Sequence, residues 1–233
     1  CNDGTFLEFF KTEKNICIGI DPSKPALKIA KEKGLFVYND YFNEKIVNEV
    51  ISHYKTFDLI TCNYTLANIP DLNLFFSQLV RLMSKDTIVS VITGYHIDQF
   101  EVNMFDYIGH DHLFYFDLHD FVNIASKFGL KLLHVQRHEH KGGSLQIILA
   151  RNDSTRFHDE SINQILQREK WLEVKSNNLI YKMEQRVIIN IDHLTSYIQK
   201  KSNYSFFGIG ASISSTTLIY KLGIGINLEF LCD

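Results

Sequence analysis

Ile16-Cys17-Ile18-Gly19-Ile20-Asp21-Pro22-Ser23 is the stretch that decides the fold. A short β-favouring run ends in an aspartate and a proline, and a helical pattern over residues 24–33 follows at once, stopped by Gly34. A strand, an acidic turn and a helix of this length make the first half of a βαβ unit, with residues 35–39 as its second strand. Outward from there the alternation repeats. Residues 43–53 are helical, Phe57 to Cys62 is a third strand and Ile88 to Ile92 a fourth. Between these last two, Leu72, Phe75, Phe76, Leu79 and Leu82 recur three or four apart, which is one face of a helix. Strands separated by helices predict right-handed crossovers and a parallel sheet.

The pattern then changes. Asp117 to Phe128 is a helix with Leu118, Phe121, Val122, Ala125 and Phe128 on one face and Gly129 as its stop. Leu132–Arg137 and Leu145–Ala150 are strands joined through Gly142-Gly143, a hairpin signal. An α/β chain whose mostly parallel sheet closes with an antiparallel hairpin resembles a class I methyltransferase in outline. Residues 156–201 read as a linking helix pair, with a stripe of Ile180, Met183, Val187, Ile191, Leu194 and Ile198 packing on a neighbouring domain. After Ser202 comes a strand at Phe206–Ile209, a Gly-rich turn, a helix at Ser215–Lys221 and a strand at Leu228–Cys232, one βαβ unit too small to fold alone. The expected division is a first domain over 1–152, linking helices over 153–203 and the beginning of a Rossmann-like unit over 204–233. The chain opens at Cys1 without a methionine and closes abruptly at Asp233, so it reads as a piece of a longer protein whose first strand precedes Asn2.

Composition narrows the function classes. With 45% hydrophobic residues the chain can build a core, which argues against disorder. A net charge of −3 gives no basic surface for bulk nucleic-acid binding. No apolar run approaches the ~20 residues of a membrane span, and no signal peptide is visible. Cys1, Cys17, Cys62 and Cys232 are scattered without a C-x-x-C pair, and three fall in or beside apolar runs, so buried free thiols are expected rather than metal ligands or disulfides, in a cytoplasmic protein.

The candidate cofactor residues stand at strand ends, where doubly wound sheets bind nucleotides. Asn2-Asp3-Gly4-Thr5 leads into a helical pattern over residues 5–10. There Gly4 would let backbone approach a ligand, and Asp3 could meet a cationic group. Asp21, with Pro22 and Ser23 after it, could accept hydrogen bonds from both hydroxyls of a ribose. Asn39-Asp40 could bind an adenine amino group, and Asn63 follows the third strand. The lack of G-x-G-x-x-G at the first turn argues against a nicotinamide dehydrogenase.

The substrate end lies beyond the fourth strand. Tyr95 and His96 are candidate substrate contacts. In the segment Phe105 to Phe116, His110-Asp111-His112 leaves three readings open: a metal site, a general base with an orienting carboxylate, or polar loop residues capping the next helix. Gly208, Gly210 and Ala211 form a strand–turn–helix whose free amides could hold a pyrophosphate.

These stretches carry a resemblance. Asn2-Asp3-Gly4-Thr5, Gly19-Ile20-Asp21-Pro22-Ser23, Asn68-Ile69-Pro70-Asp71, Phe105 to Phe116, Gly142-Gly143-Ser144-Leu145, and Gly208-Ile209-Gly210-Ala211 with Thr216-Thr217-Leu218 resemble the nucleotide-sugar C-methyltransferase family nearly end to end. The resemblance implies S-adenosylmethionine as cofactor and a nucleotide-linked keto sugar as partner. It also implies a zinc-binding domain ahead of the methyltransferase domain, outside this chain, so no metal is assigned here. In that family a base forms an enolate, which attacks the sulfonium methyl. His112 would be the base or its partner, with Asp111, His110 and Asn68 beside it, and Gly142, Gly143 and Ser144 would contact substrate. The chain departs from the family pattern Tyr-His-Glu-His, reading Gly109-His110-Asp111-His112. It has Asn68 where some members have histidine, and Gln146 where arginine is usual. Methylation of oxygen or nitrogen on a sugar or small metabolite, or cofactor binding without catalysis, are the alternatives. Oligomeric state is left open.

Overall fold

The computed structural model describes residues 1–109, 111–172, 178–211, 213–223 and 228–232. The chain divides into two compact units, Cys1–Ile60 with Asp71–Ile88 and Arg151–Thr155, and Thr61–Pro70 with Val89–Ala150 and Arg156–Asp233.

The first unit carries α1 (Thr5–Glu8), β1 (Ile18–Ile20), α2 (Lys24–Glu32), β2 (Phe36–Tyr38), α3 (Glu44–His53), the start of β3 (Phe57–Asn63), α4 (Leu72–Arg81) and the start of β4 (Met83–Gly94). β1 and β2 are parallel, Ile18 opposite Phe36 and Ile20 opposite Tyr38, with α2 as their crossover. α2, α3 and α4 each start at a side-chain cap: Ser23 accepts from the Ala26 N–H, Asn43 from Ile46 and Asp71 from Leu74. Leu27 and Ala30 of α2 bury against Leu35, while Ile46, Val47 and Val50 of α3 bury with Leu82. α1 is a single turn, shorter than the pattern over residues 5–10 predicts. β1 is likewise shorter than the run over 16–21, and Ile16 is exposed.

The second unit is built on a sheet in the order β3-β4-β6-β5, with β5 at Leu130–His138 and β6 at Ser144–Arg151. β6 runs antiparallel to β4, from Val89 opposite Leu149 to Gly94 opposite Ser144. Val89, Val91, Leu145, Ile147 and Leu149 are fully buried along this seam. α5 (His96–Glu101) leaves directly from β4, and α6 (Leu118–Phe128) leads into β5. A capping box between Asp117 and Asp120 opens α6, and Gly129 closes it in the left-handed region at φ 67°. α5 has no counterpart in the sequence reading, because Thr93-Gly94-Tyr95 reads as the end of a strand and the start of a loop. α7 (Ser161–Trp171) packs on β5 and α6, and α8 (Asn178–Lys200) packs on α5 and on α9 (Ile213–Leu222). β7 (Phe206–Ile209) and β8 (Leu228–Cys232) pair in parallel across α9.

The described strands lie in three sheets, β1-β2, β3-β4-β6-β5 and β7-β8. The buried stripe of α8 contains Leu179, Met183 and Ile198, while Ile180 and Leu194 are exposed. Arg186 donates to Asn103 Oδ1 at 2.6 Å and to the Phe100 carbonyl at 2.8 Å, which seats α8 on α5. No helix of the described residues is long and apolar enough to cross a membrane.

Candidate active site

The C-terminal ends of β1 and β2 gather acidic and amide groups in the first unit. Asp21 ends β1, and its carboxylate accepts the Asn2 N–H at 2.8 Å and the Ser23 N–H at 2.9 Å. Burial raises its pKa, but the amides of Ser23 and Asn2 outweigh that and hold the group below the usual carboxylate range. Asn2 is strained into positive φ at 52°, and the bond to Asp21 fixes it there. The Asn39 amide donates to the carbonyls of Asp21 and Pro22 at 3.2 and 3.0 Å, tying the two strand ends together. Asp40 accepts from the Tyr41 N–H at 2.8 Å and from Lys45 at 3.2 Å, with Lys45 the larger cause of its lowered pKa. Asp3 accepts from the Thr5 N–H and hydroxyl, which keep it ionised. Gly4 sits at φ 77°, and a Cβ there would lie 2.3 Å from Leu35 Cδ1. The glycine is therefore required for packing and turn geometry, where the sequence suggested close approach to a ligand. Ser23 is the cap of α2. These residues, Asn2 to Gly4, Asp21 to Ser23, and Asn39 with Asp40, are brought to one strand edge.

In the second unit the polar loops beyond β3 and β4 converge. Asn63 ends β3, and Tyr64 follows with φ 50°. The 3-10 turn Leu66–Asn68 holds the 112–116 loop: the Ala67 carbonyl accepts the Leu113 N–H at 2.7 Å and the Phe114 N–H at 3.3 Å. This one carbonyl brings the segments of Asn68 and His112 together. Asn68 is exposed, His112 half-buried and Asp111 exposed, and His110 lies outside the described residues.

His112 Nδ1 lies 2.9 Å from the Tyr107 carbonyl oxygen. A carbonyl only accepts, so Nδ1 carries the proton and the neutral ring presents its lone pair on Nε2. The Tyr107 ring packs on the imidazole, centroids 4.2 Å apart and planes at 34°. Tyr115 meets both rings edge-on, its centroid 6.1 Å from His112 and 6.5 Å from Tyr107, and its hydroxyl accepts the Gly109 N–H at 3.1 Å. The Tyr107 hydroxyl lies 2.7 Å, and Gln99 Nε2 2.9 Å, from where a Cβ on Gly94 would stand, so both polar tips fill the space at the end of β4. Burial raises the Tyr107 pKa, with Gln99 opposing through a hydrogen bond and the nearby Tyr115 and Tyr64 adding to the rise. Tyr107 therefore stays protonated at neutral pH.

The hairpin between β5 and β6 forms another side of this region. Lys141 takes φ 54°, and its ammonium stands 4.0 Å over the Tyr64 ring. Ser144 is fully buried; its hydroxyl donates to the His140 carbonyl at 2.8 Å and lies 3.1 Å from the Tyr64 hydroxyl. A Cβ on Gly142 would lie 1.7 Å from Met104 Sδ, and one on Gly143 2.2 Å from Asp98 Cβ. The Gly142-Gly143-Ser144 run thus acts through packing and through orientation of Tyr64.

Tyr95 is likewise fully buried, its hydroxyl donating to Glu169 at 3.1 Å. Glu169, buried on α7, also accepts the Leu118 N–H at 2.8 Å and bonds His119 Nδ1 at 2.7 Å. Arg168 and Arg137 pair with Asp98 beside it. Asp117, His119 and Glu169 hold ligand atoms within 4.8 Å of one another. Those of Glu169 already have protein donors, so the cluster is satisfied as a hydrogen-bonded brace. His96 Nδ1 is buried without a hydrogen-bond partner among the described residues. In the C-terminal unit the Gly210 N–H, expected to be free, donates to the Cys232 carbonyl at 2.7 Å. Gly208 faces Leu231, whose Cδ1 would lie 2.4 Å from an added Cβ. Ala211 closes the turn before α9, and α9 itself lies against the 3-10 turn Phe105–Tyr107.

Tyr64, Gln99, Tyr107, Tyr115 and Glu169 were missed in the sequence. Tyr107 and Tyr115 flank the histidine segment that drew attention, which was the available signal. Tyr64 reaches the site only through its left-handed backbone, and Gln99 through an unforeseen helix.

Comparison with known proteins adds a further line. Residues 1–135 match the family model of a methyltransferase domain, and residues 139–233 that of a C-methyltransferase C-terminal domain. The chain is similar to the C-methyltransferase NovU of Streptomyces niveus, 25% identical over 149 residues, covering 64% of this chain and 36% of that protein. It therefore spans about a third of the length of this curated relative. In structure it is similar to a SAM-dependent methyltransferase of Anabaena variabilis, at 16% identity and TM-score 0.51 over 65% of this chain and 74% of that one. A SAM-dependent methyltransferase of Archaeoglobus fulgidus is similar at 15% identity and TM-score 0.51 over 65% and 83%. At these identities the likeness is one of α/β fold.

Proposed function

The chain belongs to the methyltransferase domain family, and from that premise we propose that it transfers a methyl group from S-adenosylmethionine to carbon of a nucleotide-linked keto sugar, by way of an enolate. S-adenosylmethionine, when bound, supplies an electrophilic sulfonium methyl group. The donor set at the ends of β1 and β2 fits it. Asp21 is ionised and partly exposed; the Asn2 and Ser23 amides and the Cys1 ammonium donate to it, and its remaining lone pair is available to a ribose hydroxyl. Asp3 is a charged partner for an ammonium group, and Asp40 an acceptor for an adenine amine. Asn2, Gly4, Pro22, Ser23 and Asn39 shape the turns that present them.

His112 is the base. Its Nε2 takes the proton from the carbon next to the ketone; the C–H pair becomes the C=C bond of the enolate as the carbonyl π pair moves to oxygen, and that carbon would then bond the methyl group as its bond to sulfur breaks, the sulfur leaving as a neutral thioether. The Asn68 amide is a donor for the enolate oxygen. Gly208 to Ala211, beside α9, is the segment assigned to the nucleotide end of the sugar. The observation that carries this reading is the His112 Nδ1 contact with the Tyr107 carbonyl, which in the neutral ring puts the lone pair on Nε2, on a loop bonded to the turn of Asn68. The test is to incubate the full-length protein with methyl-labelled S-adenosylmethionine and a panel of nucleotide-linked keto sugars. A product heavier by one methyl, labelled on carbon, with solvent deuterium entering that carbon, is expected. Label on oxygen or nitrogen without exchange would replace this reading by heteroatom methylation.

A further inference from the structure

We propose that Tyr107 is a catalytic hydrogen-bond donor, its phenol facing the oxygen on which charge develops while His112 takes the proton. This rests on the carbon-methylation reading and adds a group to its site. Position 109 is glycine, and nothing lies within 4 Å of the place where its Cβ would be. The hydroxyl that the loop lacks at 109 is present nearby. Tyr107 stacks on His112 at 4.2 Å, and its own carbonyl fixes the tautomer of that ring. Base and donor are thus locked into one unit by two contacts.

The direction of the phenol proton follows from its neighbour. Gln99 Nε2 donates to the Lys141 carbonyl at 3.2 Å and bonds the Tyr107 oxygen from the same side. An amide nitrogen only donates, so the phenol oxygen accepts from Gln99. Its own proton is then available to a further acceptor. Gly94 at the end of β4 has no side chain, and the two polar tips meet there. The carboxyl ends of the strands are where open α/β sheets place ligands. A neutral donor fixed beside the base stabilises an enolate without reorganisation.

Tyr107→Phe keeps the ring on His112 and removes only the hydroxyl. In the full-length protein, with thymidine- and uridine-diphosphate 4-keto-6-deoxyhexoses as probes, two rates are read: deuterium entry next to the ketone, and methyl transfer. Both are expected to fall about 100-fold in kcat, with the KM for S-adenosylmethionine and the thermal midpoint unchanged. Replacing Tyr107 by 3-fluorotyrosine should restore the rate and move its alkaline limb to lower pH, which a packing role would not do. Wild-type rates in Tyr107→Phe, or loss of transfer with exchange intact, overturn the proposal and leave the carbon-methylation reading standing. If the unaltered protein neither exchanges nor methylates any of these sugars, that reading falls and the proposal with it.

Discussion

His112 and Asp21 each owe their proposed role to backbone groups that fix them. Because the Tyr107 carbonyl holds Nδ1–H, His112→Gln removes the only basic atom while keeping a donor. We expect methyl transfer to drop about 10²- to 10⁴-fold with cofactor affinity unchanged by calorimetry. Asp21→Asn removes a charge that the Asn2 and Ser23 amides hold. The folded pKa is lowered, so the stability this group contributes is present above its unfolded pKa and is lost as pH falls through the folded one. Acid titration of the thermal midpoint should therefore flatten in Asp21→Asn below about pH 4, whereas an unchanged profile would contradict the assignment. Cys62, whose thiol burial pushes up to about 12, should resist alkylation at pH 8 while exposed Cys232 reacts. Asp21 was legible from sequence because a strand end exposes its side chain at a fixed place. Tyr64 and Tyr107 were not, since a positive φ and a loop contact decide where their hydroxyls go.

Helices and hairpins supply the rigidity that those residues need. Glu169 on α7 joins the end of β4, through Tyr95, to the start of α6, through the Leu118 amide and His119. Glu169→Ala leaves those buried donors without an acceptor and should cost about 3–5 kcal/mol in urea unfolding. Gly143→Ala would press a methyl group on Asp98 at a φ of 132°, with a loss of about 2–4 kcal/mol. Sequence periodicity found most of the elements because apolar spacing and caps such as Asp117, Asn43 and Ser23 are local. Along α8 it placed Met183 and Ile198 on the buried face but also Ile180 and Leu194, which are exposed, because periodicity does not show how far a neighbour covers a helix. It missed α5, whose buried Asp98 and Gln99 look like surface residues until the hairpin and Arg137 close over them.

For the whole molecule, sequence and structure agree on an α/β methyltransferase fold followed by a βαβ unit, and the family match over residues 1–135 accords with this. What could not be read from the chain was the division of labour between residues of one motif. The Gly142-Gly143-Ser144 run matched a substrate motif, its members are buried or packed, and the polar tips around them come from half-buried Tyr107, buried Gln99 and exposed Lys141. The account stands on the strand-end carboxylates taking an adenosine-bearing methyl donor. Isothermal titration of S-adenosylmethionine into the full-length protein tests this most directly. Saturable heat at one site per chain, abolished in Asp21→Asn while the variant stays folded, is predicted. No heat with the unaltered protein, or undiminished binding by the variant, would contradict it.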